Sequence, residues 1–422
     1  MDTVQQATGP AGIYGRPVST WVQHRVLGVD AARGAALLGM MAVHIVPAVT
    51  PDGEVSLAFR LAAGRSSALF AVLAGVGLAL LTRWTPTTTA RRRVHDRVAV
   101  ATRALLLVAI GLALGMLDSG VAVILVYYGV LFVLTLPFLG LSSRALAAWS
   151  AGIAIVVPVL SHLLRPSLPP ASYAVPTLDF FDRSLWAALS ELTLTGYYPA
   201  LPWLAYLLAG LAIGKLPLRS PRVARGLLGG GLALTIASTL TSHVLVSRLG
   251  GLSALEGQHP EVLGQPLSTA LSAGLLGTTP TGSWWWLTVA TPHTATPFDL
   301  AATIGSSMAV LGLFLLVLSR PRLWASPLVA VGAMSLTLYS LHVVLLDDWL
   351  PPSLPHAYSW HVLVATTVAM AWRRFVGQGP LEFLTQRAAR GVSTLLVPLH
   401  AADRGGSDPR HQAGPAGPVV LR

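Results

Sequence analysis

Ten stretches of this chain are apolar over the length needed to cross a hydrocarbon core, and nothing constrains its fold more. They fall at about 27–48, 61–82, 99–117, 119–139, 145–164, 198–214, 226–247, 299–319, 324–346 and 358–376. A helix must run for about 20 largely apolar residues to span roughly 30 Å of lipid. With 53% hydrophobic and only 11% charged residues, the composition belongs to a polytopic membrane protein rather than to a soluble one with several cores. The expected fold is therefore all-α, with roughly ten transmembrane helices. Residues 268–279 are apolar but too short to span and are read as a re-entrant or interfacial segment.

Charge placement supports the count. The net charge of +11 comes without a basic patch interleaved with aromatics, so nucleic acid is not an expected partner. Most Lys and Arg residues instead collect in short segments that alternate with acidic ones, as the preference of cations for the cytoplasmic side predicts. An N-terminus inside puts Arg83 to Arg103, Lys215 to Arg225, Arg320 with Arg322, and Arg373 onward in the cytoplasm, and Asp52, Glu54, Asp118, Asp347 and Asp348 outside. An eleventh span at 268–279 would invert this pattern. The reading is a cell (inner) membrane protein with both termini cytoplasmic, in three parts: a tail at 1–24 without an apolar signal core, a membrane domain at 25–390, and a disordered Gly/Pro-rich tail at 391–422. Cysteine is absent, which excludes disulfides and thiolate chemistry.

Polar residues at membrane depth are costly and mark sites or pairs. The first run, RVLGVDAARGAALLGMMAVH, carries Asp30 and Arg33 near one end and His44 near the other. Asp30 and His44 lie roughly 21 Å apart along a helix, so the first pair faces the cytoplasm and His44 the opposite boundary. Asp30 and Arg33 share a face and serve either as a self-neutralising pair or as an anion site. His342, His293 and His361 are expected at the depth of His44, where imidazoles either take protons from a hydroxyl or amine or bond carbonyls at wet helix ends. No HExxH or comparable pair exists, and no metal site is expected. Arg65, at the outer end of the second run, needs an anionic partner. Pro199 and Pro202 around Trp203 suggest a bend at the entry to a span. Trp284, Trp285 and Trp286 suit a membrane interface or the floor of a ligand site. Glu382, after the last run, reads as a solvated cap.

The ordered set of these residues resembles the transmembrane acyltransferase superfamily, whose best-known branch is the heparan-alpha-glucosaminide N-acetyltransferase. The resemblance rests on Arg25, Asp30, Arg33, Gly34, Met40 and the polar residue at 44; on Arg65, Phe70 and Gly75; on Pro202, Trp203, Gly210 and Gly214; on Pro292-His293-Thr294; on Ser335-Leu336-Thr337 with Tyr339; and on Gly379-Pro380-Leu381-Glu382, the signature of a related bacterial branch. It implies acyl transfer across a membrane from cytosolic acyl-CoA, such as acetyl-CoA used as a co-substrate rather than a tightly held cofactor, to an amino-sugar, glycan or lipid-linked acceptor. The position of His44 resembles an asparagine in the lysosomal branch, whose catalytic histidine lies about a dozen residues further on. Here that region, PDGEVSLAFR, has no histidine, so the family's catalytic residue does not carry over: either His44 or His293 takes the role, or this chain does different chemistry.

The expected site therefore combines His44, His293 and His342 as catalytic residues with Asp30, Arg33, Arg65 and Trp203 at the acyl-CoA or substrate. Expected partners are acyl-CoA, the acceptor and membrane lipids, and a homodimer is compatible with the sequence. A transporter or flippase of a lipid or glycan intermediate is the alternative, because intramembrane ionisable groups and a proline-bent helix serve a translocation path equally well. A non-catalytic scaffold is the third reading.

Overall fold

The computed structural model describes residues 25–182, 184–400 and 403. Its helices follow the apolar runs: α1 (Leu27–Ile45), α2 (Leu57–Ala62), α3 (Arg65–Thr82), α4 (Ala90–Gly115), α5 (Leu125–Thr135), α6 (Ser143–Leu164), α7 (Leu185–Ser190), α8 (Ala200–Gly214), α9 (Pro221–Arg248), α10 (Gly251–Gln258), α11 (Leu267–Ala273), α12 (Pro297–Val317), α13 (Ser326–Ala333), α14 (Ser335–Val344), α15 (Ala357–Phe375) and α16 (Pro380–Leu396). Sheet among the described residues is confined to one hairpin, β1 (Glu261–Val262) with β2 (Gln265–Pro266).

Among the described residues, five helices are long and apolar enough to cross a membrane, and up to seven if each of two bent pairs is one span. The chain is thus a multi-pass membrane protein. The outer helices α4, α6 and α9 turn Leu105, Ile155, Val156, Ile236 and Leu240 outward, apolar surface that a lipid environment covers. By contrast α1 is buried on nearly every side, packed between α3, α12 and α13. Its Asp30, Arg33 and His44 dilute the apolar pattern of a helix that lies at the centre of the bundle.

Close crossings explain the small residues. A Cβ on Gly34 or Gly332 would strike the backbone of the facing helix, and the same holds for Gly75 of α3 against Gly210 of α8. Small residues let helix backbones approach where the lipid supplies no hydrophobic drive. The crossing of α1 with α13 places Asp30 directly beside Gly332.

Three expected spans differ from a straight helix. The run at 324–346 is broken at Met334, where α13 and the helical stretch from α14 to Trp349 diverge by 74°. The freed backbone N–H groups of Leu336 and Thr337 donate to the Glu382 carboxylate at 2.8 and 3.2 Å. Glu382 is therefore a cap within the fold and not a solvated charge, and the Gly379-Pro380 turn before it aims it at the break. The run at 119–139 becomes helical only at Leu125; Gly120, at φ +66°, precedes an irregular segment whose Val121, Val123 and Ile124 are buried. Irregular backbone at membrane depth needs such cover or a water-filled cavity. The third departure was anticipated: the helical stretch before Gly196 meets α8 at 48°, next to Pro199.

Residues 268–279 do not span. They supply most of α11, which joins Leu255, Val262, Leu275, Trp286 and Val289 in a small separate core. The three tryptophans divide accordingly, Trp286 fully buried in that core and Trp284 exposed. Helix α16 runs to Leu396, past the 391 at which a disordered tail was expected. Residues 1–24 and 404–422 lie outside the described residues.

Candidate functional site

Two cavities open along one seam between α1, α3, α5 and α14. The first, about 470 Å³, is lined by Arg25, Asp30, Arg33, Phe70, Gly77, Arg83, Arg103, Tyr128 and Ser335 among others. The second, about 480 Å³, is lined by Met40, His44, Ser67, Ile124, Tyr197, Tyr198, His293 and Tyr339, and is roofed by Leu263, Gln265 and Ala273–Leu276 of the long segment between α9 and α12. Where α3 passes from one cavity to the other the lining changes from Phe70 to Ser67, and on α14 from Leu336 to Tyr339. Three residues are roughly 5 Å of helix rise. Only a thin aromatic layer lies between the cavities, with Phe70 edge-on to Tyr128 at 5.8 Å and the Tyr339 hydroxyl accepting the Ile124 N–H at 3.3 Å.

The first cavity is cationic. Asp30 pairs with Arg33 as its spacing predicts and is bonded more closely by Arg25, which precedes α1 and donates to both carboxylate oxygens at 2.8 and 3.0 Å. Arg33 stands 3.8 Å from the same carboxylate and donates to the Leu73 carbonyl at 3.1 Å. One carboxylate thus faces four lining guanidiniums, those of Arg25, Arg33, Arg83 and Arg103. The buried Nε of Arg103 and hydroxyl of Tyr128 have no hydrogen-bond partner among the described residues. Guanidinium forks bind phosphate and carboxylate in two-point contacts, and buried donors left without acceptors are costly. The arrangement suits an anionic ligand.

The second cavity gathers imidazoles. His44 Nδ1 lies 3.1 Å from His342 Nε2, and the two rings stack at 5.3 Å. His342 Nδ1 in turn lies 2.9 Å from Nδ1 of His361 on α15, whose Nε2 meets the Leu350 carbonyl at 2.9 Å. His44 Nε2 has no partner among the described residues.

His293 reaches the same cavity from a pinned loop. Asp299, in the first turn of α12, accepts the N–H groups of Thr294 and Ala295 at 3.2 and 3.0 Å, while Thr296 caps Asp299 N–H at 3.1 Å, a reciprocal capping arrangement. The loop is forced into φ +58° at His293 and +50° at Ala295, conformations costing about 1–3 kcal/mol each for residues with a Cβ. His293 Nε2 accepts the Gly64 N–H at 3.2 Å, and Gly64, at φ +69°, has no Cβ to meet Pro292. Burial pushes the pKa of His293 down to about 4, so its ring is neutral near pH 7. With Nε2 accepting, the ring proton is on Nδ1, and this buried atom has no partner among the described residues.

Of the residues expected at the site, the structure brings His44 and His293 to one cavity, with His342 buried behind His44, and Asp30 with Arg33 to the other. It does not bring Arg65 to Arg33: the Arg65 guanidinium bonds the Arg60 carbonyl at the opposite end of α3 from Gly77, the glycine beside Arg33. Trp203 is buried and lines neither cavity; it packs edge-on against Tyr198 at 5.1 Å, behind the cavity wall. Sequence reading missed Arg103 and Tyr128, which look like ordinary helix residues, and underrated Arg25, whose signal was its position just before α1. No cluster of three or more metal-ligating groups suited to a metal ion occurs among the described residues.

A multi-pass bundle with a cationic cavity at one end of a buried helix and an imidazole cavity at the other defines a membrane protein built around a transverse polar seam. Residues 25–245, more than half of the chain, match the family described as heparan-alpha-glucosaminide N-acetyltransferase, catalytic, and the protein belongs to that family. A comparison with curated protein sequences finds no match.

Proposed function

We propose that the protein is an acyl-CoA-dependent membrane acyltransferase of the cell membrane, with about ten spans and both termini cytoplasmic, that moves an acetyl or similar small acyl group to an amine or hydroxyl of a glycan or lipid-linked acceptor. The observation that carries this reading is the pairing on one seam of an anion-binding cavity with a proton-accepting one, whose linings come within about one helical turn of each other along α3 and α14 and about two along α1. In this reading the phosphates of acyl-CoA meet Arg33, Arg83 and Arg103, with Asp30 and Arg25 setting the position of Arg33, and the thioester passes the Phe70–Tyr128 layer toward His44.

His44 Nε2, the unengaged imidazole nitrogen, takes the proton of the acceptor amine or hydroxyl as its nitrogen or oxygen attacks the thioester carbonyl. The His293 Nδ1–H is a donor for the oxygen on which negative charge develops, the role that preorganised donors play in acyl transfer. Collapse of the tetrahedral intermediate breaks the carbon–sulfur bond, and the departing CoA thiolate recovers the proton from His44. His342 holds the His44 ring.

The test is binding of CoA and acetyl-CoA to the purified protein by calorimetry, with wild type beside Arg33→Ala. Saturable binding weakened about tenfold by the substitution is expected, equal to the loss of about 1.4 kcal/mol and within the range for a charge-assisted hydrogen bond. Absence of binding at millimolar ligand to folded protein would overturn the reading and leave a lipid or glycan translocation path along the same seam.

A further inference from the structure

The geometry points to a directed proton relay, His44–His342–His361–Leu350 carbonyl, in which His361 is a positioning residue that makes His44 Nε2 a base. The inference rests on the acyltransfer reading for its use but not for its existence. Three hydrogen bonds join the four groups, at 3.1, 2.9 and 2.9 Å. A carbonyl oxygen carries no proton, so the last bond takes its hydrogen from His361 Nε2. A neutral imidazole carries one ring proton, which leaves His361 Nδ1 as an acceptor. The proton of its bond to His342 must then sit on His342 Nδ1, which leaves His342 Nε2 bare. The remaining bond is filled from His44 Nδ1. Three bonds use three protons, the number that three neutral rings hold, and none is left for His44 Nε2.

A proton arriving at His44 Nε2 need not stay as charge on that ring. Transfer of the His44 Nδ1 proton to His342 Nε2, and of the His342 Nδ1 proton to His361 Nδ1, leaves His44 and His342 neutral and His361 cationic. Each step breaks one N–H bond and forms another across an existing hydrogen bond, so protons and charge balance. The cation comes to rest against Leu350 O, which caps the π-turn Leu345–Trp349, where a helix end presents partial negative charge. Other titratable groups on the elements around the chain are His293, across the cavity, Tyr339, one turn earlier on α14, Tyr358, one turn before His361 on α15, and Asp347 and Asp348 on the π-turn. The Leu350 carbonyl is the acceptor that favours a cation at the His361 end; no such acceptor meets His44 Nε2 among the described residues. The sequence reading placed His361 at this depth but had no means of knowing that its ring continues the chain or that Leu350 terminates it.

The direct measurement is nitrogen NMR of histidine-labelled full-length protein in lipid nanodiscs, assigned with His44→Gln, beside His361→Phe. The wild type is expected to hold His44 as the Nδ1–H tautomer, the form less common in free imidazole side chains, and the His361→Phe protein to release it toward Nε2–H. Wild-type His44 found as Nε2–H near pH 7 overturns the relay, and does so even if the variant fails to fold. An unchanged His44 tautomer in folded His361→Phe protein overturns the role of His361. In parallel, transfer from acetyl-CoA to glucosamine is measured against pH. His361→Phe is expected to lower kcat/KM about 10²-fold, within the range for general-base catalysis, and to move the acid limb of the profile to lower pH, because a base that cannot pass its charge on is weaker. An unshifted limb with a lowered plateau would assign His361 to packing alone and overturn its positioning role. The two readings separate cleanly: the predicted tautomers without any CoA binding would retain the relay and remove the acyltransfer.

Discussion

The two ends of α1 solve the problem of polar groups inside a bundle in opposite ways. At the Asp30 end charge is permanent and unbalanced: one carboxylate, doubly bonded by Arg25, among several guanidiniums. At the His44 end the polar groups are imidazoles: His44, His342 and His361 join in a hydrogen-bonded chain, and His293 accepts the Gly64 N–H. A standing excess of positive charge suits an anionic ligand; a chain of bonded imidazoles suits proton transfer. One buried helix carries both because the residues between them, Gly34 to Met41, are small or apolar and pack tightly.

The comparison can be broken outright at the crossing both ends share. Gly332→Val puts a branched side chain where the Asp30 carbonyl already lies. Overpacking of this kind costs several kcal/mol when backbone must move, and the expected result is loss of monodisperse folded protein in size-exclusion chromatography, both functions vanishing together. The ends should separate under His44→Ala: acetyl transfer falls about 10²- to 10⁴-fold while calorimetric CoA affinity stays at the wild-type value. Retained transfer at the wild-type rate would remove His44 from the mechanism.

A milder probe acts through the broken helix. Glu382→Ala strips the backbone donors of Leu336 and Thr337 of their carboxylate, an expected loss of about 1–3 kcal/mol. Because Ser335 and Leu336 line the cationic cavity, CoA affinity should weaken in calorimetry as thermal stability drops. Wild-type affinity together with wild-type stability would contradict the assigned cap. The smallest effect concerns pH. His293 titrates at about 4 in the fold against 6.5 when unfolded, so between these values the unfolded chain binds more protons and stability declines as pH falls. His293→Gln should flatten part of that decline in thermal unfolding curves recorded from pH 7 to 4; an unchanged slope would show that His293 is not held neutral.

Much of this was legible in the order of residues. Apolar length located the helices, and the cost of charge at depth singled out Asp30, Arg33, His44 and His342 before any contact was known. Pro199 announced the bend ahead of α8. The break at Met334 was not legible, because Gly332 two residues before it reads equally well as a packing glycine inside a continuous helix; the break is held by Glu382, 47 residues after Ser335 in the chain, which supplies the acceptors its freed N–H groups need. The run at 119–139 was located, but its non-helical start was not, since an irregular apolar segment and a helical one have the same composition.

Local chemistry thus determined which residues are polar at membrane depth, how far apart they lie along each helix, and that the chain crosses a bilayer. Partnership was decided only by tertiary structure. Spacing along α1 offered Arg33 to Asp30, yet Arg25 bonds the carboxylate more closely by folding back over the helix start. Spacing could not say whether three histidines on three helices meet, because hydrogen-bond contact across 298 residues of sequence, as between His44 and His342, depends on how helices cross, and those crossings are set by the glycines that let backbones touch.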